Sequence, residues 1–300
     1  MNPLKKAIVS AISWYCTYAP IEPGKTRLQR LGLRIIGAPT LKATSRFGQT
    51  FELSFPEDFG FDHIFWRKTY ETGTLDVLRR IVDSNDTILD IGANMGWYTV
   101  HLAMFARHGM VHAFEPMPPT FRRLVHNCDL NNVDVNTKLV NVALGDHQGE
   151  AQLHSFANLG HGHSSLSTLG RSDHTAWDVT MMTLDEYLKE NGIDRVDVVK
   201  MDVEGAEMGV LRGGMLIFSL NPPPIWIVEM NDETAASFGY APVDLLETIA
   251  KQGEYAFFRV VRSWDRVVAM SSVHDYRHGD NAICVPRERM DHWRRAMGAG

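Results

Sequence analysis

The stretch DTILDIGANMGWYTVHLA, residues 86–103, opens with an apolar, β-branched run and closes with a run suited to the start of a helix. Between them, Asp90-Ile91-Gly92-Ala93-Asn94-Met95-Gly96 supplies two glycines, which permit a tight turn and close approach of a ligand to the backbone. A strand, a glycine turn and a helix N-terminus in that order make the first βα unit of an open α/β sheet. Ligands of such sheets lie beyond the carboxyl ends of the strands, where strand order reverses. The N–H groups at the helix start are expected to favour an anion or carboxylate.

Downstream the same alternation continues. Apolar runs MVHAFEP, TKLVNVAL, VDVVKMD and PIWIVEMN read as strands, and PPTFRRLVHNCDLNN, TLDEYLKENG, AEMGVLRGG and APVDLLETIAKQG as helices, with a hairpin through GDHQGEAQLHSF. Strands alternating with helices predict right-handed crossovers and a doubly wound, mostly parallel sheet. The tail from Tyr255 adds two or three strands as antiparallel edges. Upstream, TGTLDVLRRIV is an amphipathic helix capped by Thr72 or Thr74, and TSRFGQTFELSFP a small hairpin. At the start, two lysines precede a short apolar run, the outline of a secretory signal, but Ser10, Ser13 and Thr17 interrupt it. Leu4, Ile8, Ala11, Ile12 and Tyr15 recur at helical spacing instead, so an amphipathic docking helix is expected. The organisation expected is a helical and hairpin extension over residues 1–68 and a catalytic domain over 69–300.

A net charge of −6 over 300 residues exerts no general pull towards nucleic acid. Cys16, Cys128 and Cys284 are widely spaced, which suits reduced, buried thiols of a cytoplasmic protein. No run is long enough for stable membrane insertion. Self-association is left open.

The third glycine of a dinucleotide fingerprint G-x-G-x-x-G is missing. What stands here is D-x-G-x-x-x-G, with Glu115 ending the next strand, where an acid can accept from both hydroxyls of a ribose. This resembles the S-adenosylmethionine signature of class I, Rossmann-like methyltransferases. DIGANMGWYT, FEPMPPTFRRLVHN, VALGDHQGEAQLH, SSL, TLDEYL and KMDVEGAEMGVLRGG follow in order, and the series resembles the FkbM family of such methyltransferases over about residues 70–230. The resemblance implies S-adenosylmethionine as cofactor, held around Asp90, Gly92, Ala93, Asn94, Gly96, Tyr98, Glu115, Pro116, Ala143 and Asp202. It also implies a small-molecule or glycan acceptor, O-methylated at a hydroxyl of a saccharide or natural product.

An alcohol is a poor nucleophile until it is deprotonated, so a base or a metal is wanted near the transferred methyl. Asp202, Glu204 and Glu207 follow one strand, while Glu229 ends the next with Asn231 just beyond. Asp202 is the first candidate for catalysis. Asp202, Glu229 and Asn231 resemble, by strand position, the Mg²⁺ set of catechol-type O-methyltransferases, and hard oxygen ligands suit that ion. His161 and His163, in a Gly-flanked loop, are alternative bases, and Ser164 and Ser165 have no assigned role. NPPP at Asn221 precedes a strand and lacks the aromatic residue of an amino-group methyltransferase turn, so it reads as a loop. Three other readings stay open: N-methylation of a small amine, an NAD-dependent oxidoreductase, and a non-catalytic binding module.

Overall fold

The computed structural model describes residues 3–18, 24–37, 40–55, 58, 61–156, 160–168, 172, 174–261 and 266–298. They group into two compact units, residues 1–70 with 157–162, and residues 71–156 with 163–300.

In the first unit, α1 (Pro3–Tyr18) and α2 (Lys25–Ile36) precede a hairpin of β1 (Thr40–Thr44) and β2 (Thr50–Ser54), and α3 (Asp62–Arg67) follows. The hairpin begins earlier than the expected TSRFGQTFELSFP, because Leu41 and Ala43 pair with Leu53 and Phe51. Val9, Cys16, Leu33 and Trp66 form the core. A β-carbon on Gly32 would lie 2.5 Å from the Trp66 ring, so the helix approaches that ring only because it lacks one.

The second unit opens with α4 (Thr72–Ile81). Its N-cap is Glu71, with no side-chain capping bond, rather than either threonine. Then come β3 (Thr87–Ile91), α5 (Trp97–Phe105), β4 (Met110–Phe114), α6 (Pro118–Leu130) and β5 (Thr137–Val140). The chain next leaves the main sheet for β6 (Ala143–Gly145), β7 (Gly149–Phe156), β8 (Gly160–Ser165) and β9 (His174–Thr183), a second sheet in the order β6-β9-β7-β8. The Gly-flanked loop expected around His161 and His163 is thus part of strand β8. β9 pairs with all of β7, from Met181 opposite Gly149 to His174 opposite Phe156, and closes a small core of Met117, Leu153, Val179 and Met181.

α7 (Leu184–Glu190) starts on a capping box in which the Thr183 hydroxyl accepts from the Glu186 amide and the Glu186 carboxylate accepts from the Thr183 amide. β10 (Val198–Met201), α8 (Glu207–Arg212), β11 (Ile225–Glu229), α9 (Asp232–Ser237), α10 (Pro242–Ala250), β12 (Tyr255–Val261), β13 (Arg266–Ala269), β14 (Asn281–Pro286) and α11 (Met290–Met297) complete the chain. The main sheet runs β13-β12-β14-β11-β10-β3-β4-β5. β5, β4, β3, β10 and β11 are parallel, and β14 inserts antiparallel between β11 and β12. This is the doubly wound α/β, Rossmann-like arrangement of class I methyltransferases. Strand order reverses between β3 and β10, which makes their carboxyl ends the switch point. Both strands are buried on both faces, as a parallel sheet under two helical layers requires. The prolines after Asn221 are a loop held by Arg289, whose guanidinium donates to the Pro223 carbonyl at 2.6 Å and to Asp197 at 3.0 Å.

Candidate active site

The glycine turn between β3 and α5 spends its amides internally. The N–H groups of Gly92 and Ala93 both donate to the Phe114 carbonyl, at 3.0 and 2.9 Å. The Asn94 amide donates to Glu115 Oε2 at 2.9 Å, the Met95 amide to Asn94 Oδ1 at 2.7 Å, and the Gly96 amide to the Ala93 carbonyl at 2.9 Å. The anion cradle expected from the sequence is therefore not built by these five residues. A dinucleotide pyrophosphate needs such amides free, and the oxidoreductase reading loses its basis.

Packing by itself requires both glycines. Gly92 has φ +83°, and a β-carbon there would lie 1.8 Å from the Asp202 carbonyl oxygen. Gly96 has φ +94°, and its β-carbon would lie 2.9 Å from Leu124 of α6. Gly92 thus brings the turns after β3 and β10 into backbone contact, reinforced by the Asp202 amide donating to the Ile91 carbonyl at 3.0 Å.

The ends of β3 and β4 hold buried acceptor capacity. Glu115 is buried and accepts from the Asn94 and Met117 amides, both at 2.9 Å. A carboxylate has about four lone-pair directions, so room remains for two hydroxyl donors such as those of a ribose. Burial pushes the Glu115 carboxyl up to about 7 against the opposing pull of those amides and Arg123. Asn141 fixes the strand end by donating to the carbonyls of Glu115 and Pro116. Asp90 is fully buried, with Oδ2 accepting from the Thr99 hydroxyl at 2.6 Å and Oδ1 without a donor among the described residues. Ala143 is buried at the start of β6. The orphaned Asp90 oxygen and the spare Glu115 lone pairs fit a cofactor that carries hydroxyl and ammonium donors, as S-adenosylmethionine does.

A second cluster stands at the ends of β10 and β11. Carboxylate oxygens of Asp202, Glu204 and Glu229 lie within 4.8 Å of one another. Lys200, buried within β10, extends its ammonium to Asp202 Oδ2 at 2.9 Å and lies 4.7 Å from the centre of the Tyr98 ring. The Tyr98 hydroxyl donates to Glu71 at 2.6 Å. Burial opposes the charge on Lys200, but Asp202, Asp90 and Glu71 outweigh it and raise its pKa. Glu229 is pushed well above the ordinary carboxylate range, first by burial and then by the charges of Asp202, Glu204 and Glu71.

The loop carrying these acids has its own scaffold. Glu207 is buried and accepts from the amides of Val203 at 3.0 Å and Gly205 at 3.3 Å, and from the Tyr240 hydroxyl at 2.7 Å. Ser165, of the SSL motif, donates to the Glu204 carbonyl at 2.9 Å. Asn231 is placed differently from its expected role as a metal ligand. Its Oδ1 accepts from the amides of Glu233 and Thr234 as the cap of α9, and Glu204 stands in its stead beside Asp202 and Glu229. The backbones of His161 and His163 lie in β8 rather than a loop, and their side chains lie outside the described residues. Glu71 carried no sequence signal, since only the fold brings the residue before α4 to the end of β10. A cleft of about 480 Å³ lies beyond this loop, lined by Leu144, Asp146, His154, Met181, Arg212 and Tyr240 among others. Asp90, Glu115, Asp202 and Glu229 are not among its lining residues.

Sheet order, glycine turn and strand-end acids together define an S-adenosylmethionine-dependent methyltransferase of class I. The comparisons with known proteins narrow the class. The family model described as "Methyltransferase FkbM domain" matches residues 90–257, and the chain belongs to that family. It is 27% identical over 209 residues to methyltransferase sdnD of Sordaria araneosa, covering 60% of this chain and 78% of that one. It is 28% identical over 183 residues to the hexuronic acid methyltransferase AglP of Haloferax volcanii, covering 59% and 69%. It is 29% identical over 160 residues to the 2-O-methyltransferase NoeI of Sinorhizobium fredii, covering 48% and 65%.

Proposed function

We propose that this methyltransferase acts on oxygen, methylating a hydroxyl of a saccharide or related natural product, with Asp202 receiving the hydroxyl proton. The observation that carries the reading is the gathering of Asp202, Glu204 and Glu229 within 4.8 Å, beside the buried Lys200. A neutral amine already presents its lone pair, whereas a hydroxyl must lose a proton as it reacts, and a carboxylate cluster meets that need. Relatives whose names specify a hexuronic acid or a 2-O position agree with an oxygen acceptor on a sugar.

Bound S-adenosylmethionine would supply an electrophilic methyl on a sulfonium centre. The chain's part is to hold the ribose hydroxyls at Glu115, to aim the acceptor oxygen in line with that methyl, and to take the proton onto Asp202. Lys200 keeps Asp202 oriented by donating to its Oδ2 at 2.9 Å. The same three carboxylates are hard donors of the kind Mg²⁺ accepts, and Asp202, Glu204 and Glu229 would hold the ion, which would acidify the hydroxyl. The test is turnover with labelled S-adenosylmethionine on a panel of uronic acid glycosides, hydroxylated macrolides and small amines, with products located by mass spectrometry. Methyl recovered on hydroxyl oxygen supports the reading, and methyl recovered on nitrogen alone overturns it.

A further inference from the structure

Charge along the chain is strongly segregated. Residues 1–46 carry eight Lys and Arg against the single acid Glu22, a net +7, so with a whole-chain charge of −6 the remaining residues carry −13. The basic segment contains α1 and α2, and both helices leave large apolar side chains in water. On α1, Val9 and Cys16 face the core of their unit, while Leu4 is 70%, Trp14 65% and Tyr18 70% exposed. At 100° per residue, Leu4, Ala7, Ile8, Ala11, Trp14 and Tyr18 fall on one stripe opposite Val9. On α2, Leu28 and Leu31 are exposed, among the exposed Arg27, Arg30 and Arg34.

A helix that buries one face in its own unit and exposes a second apolar stripe has a surplus face that water disfavours. Aromatic residues on such a stripe prefer the boundary between lipid headgroups and acyl chains, and clustered basic residues are drawn to an anionic leaflet. We propose that α1 and α2 dock this enzyme peripherally on an anionic phospholipid surface. Trp14, Tyr18 and Leu4 sink into the headgroup layer, and Arg27, Arg30 and Arg34 pair with lipid phosphates and carboxylates. The charge balance selects this occupant. A −13 remainder is repelled by the same surface, so the molecule approaches by its basic segment alone. A two-fold dimer through this face would instead set two basic segments against each other. No helix among the described residues is long and apolar enough to cross a bilayer, in keeping with a surface contact. An acceptor carried on a membrane-anchored lipid would meet the enzyme there.

Flotation of the full chain with vesicles tests this, using phosphatidylcholine alone or mixed with phosphatidylserine. Partitioning onto the serine-containing vesicles should exceed that onto the neutral ones by about tenfold or more, and should fall as salt is raised. The triple variant Arg27→Glu, Arg30→Glu, Arg34→Glu should return to the neutral-vesicle level. The double variant Trp14→Ser, Tyr18→Ser should lose about tenfold with an unchanged circular dichroism spectrum. Equal partitioning onto both vesicle types, binding that survives the charge reversal, or a dimer in sedimentation equilibrium that Trp14→Ser dissociates would each overturn the proposal. None of these readouts depends on the acceptor, so failure here leaves the methyltransferase reading untouched.

Discussion

Gly92 lies against the Asp202 backbone so closely that a β-carbon on it would stand 1.8 Å from the Asp202 carbonyl oxygen. The turn that shapes the cofactor position and the loop that carries the candidate base are therefore one packed unit. Gly92→Ala must push that loop away and also adopt φ +83°, an unfavourable conformation for alanine. The expected loss is about 2–4 kcal/mol of stability, visible in thermal melts without any ligand. A melting temperature equal to the wild type would show that the contact is dispensable.

Glu115 couples cofactor affinity to pH. Its carboxyl is pushed up to about 7 by burial, and only the ionised form offers all its lone pairs to ribose hydroxyls. Hydroxyl binding favours the carboxylate, so affinity for S-adenosylhomocysteine should strengthen as pH rises through about 7 and weaken below it. Glu115→Gln should lose about 1.5–3 kcal/mol of affinity and flatten that profile. Titration calorimetry across the range decides, and a pH-independent wild type would count against the assignment.

Asp202→Asn keeps the side-chain shape but removes both charge and proton acceptor. Cofactor binding should survive while turnover on a confirmed acceptor falls by about 10²-fold or more. Chelator sensitivity of the wild type separates a metal-ligand role from a direct base. Near-normal turnover in the variant would remove both roles and return attention to His161 and His163.

Tyr240→Phe deletes the hydroxyl that donates to the buried Glu207 at 2.7 Å. Leaving a buried carboxylate short of a donor should cost about 1–3 kcal/mol in denaturant unfolding. Because Glu207 holds the loop bearing Asp202 and Glu204, turnover should also drop, by less than in Asp202→Asn. An unfolding midpoint unmoved by the substitution would mean that water replaces the phenol.

The local signals in the chain were sufficient for the alternating strands and helices of the main sheet from Thr87 onward and for the acids at strand ends. Apolar period and glycine–acid spacing are properties of neighbouring residues, and each βα unit carries its own. Asp90, Glu115 and Asp202 could be placed for the same reason, since each lies within a residue of a strand's carboxyl end. Only the tertiary structure decided what the turn's amides do, because the Phe114 carbonyl and the Glu115 carboxylate that consume them belong to a different strand. It also decided that Gly92 packs on the Asp202 backbone, and that Asn231 caps α9 while Glu204 joins Asp202 and Glu229. Glu71 and Lys200 meet across 129 positions of sequence through the Tyr98 ring and hydroxyl. β8 and β9 were unreadable because the polar, histidine-rich run before Ala176 has no strand period of its own. Its strands exist because β7 offers an edge to pair with, and an edge is a property of the folded sheet rather than of the segment that joins it.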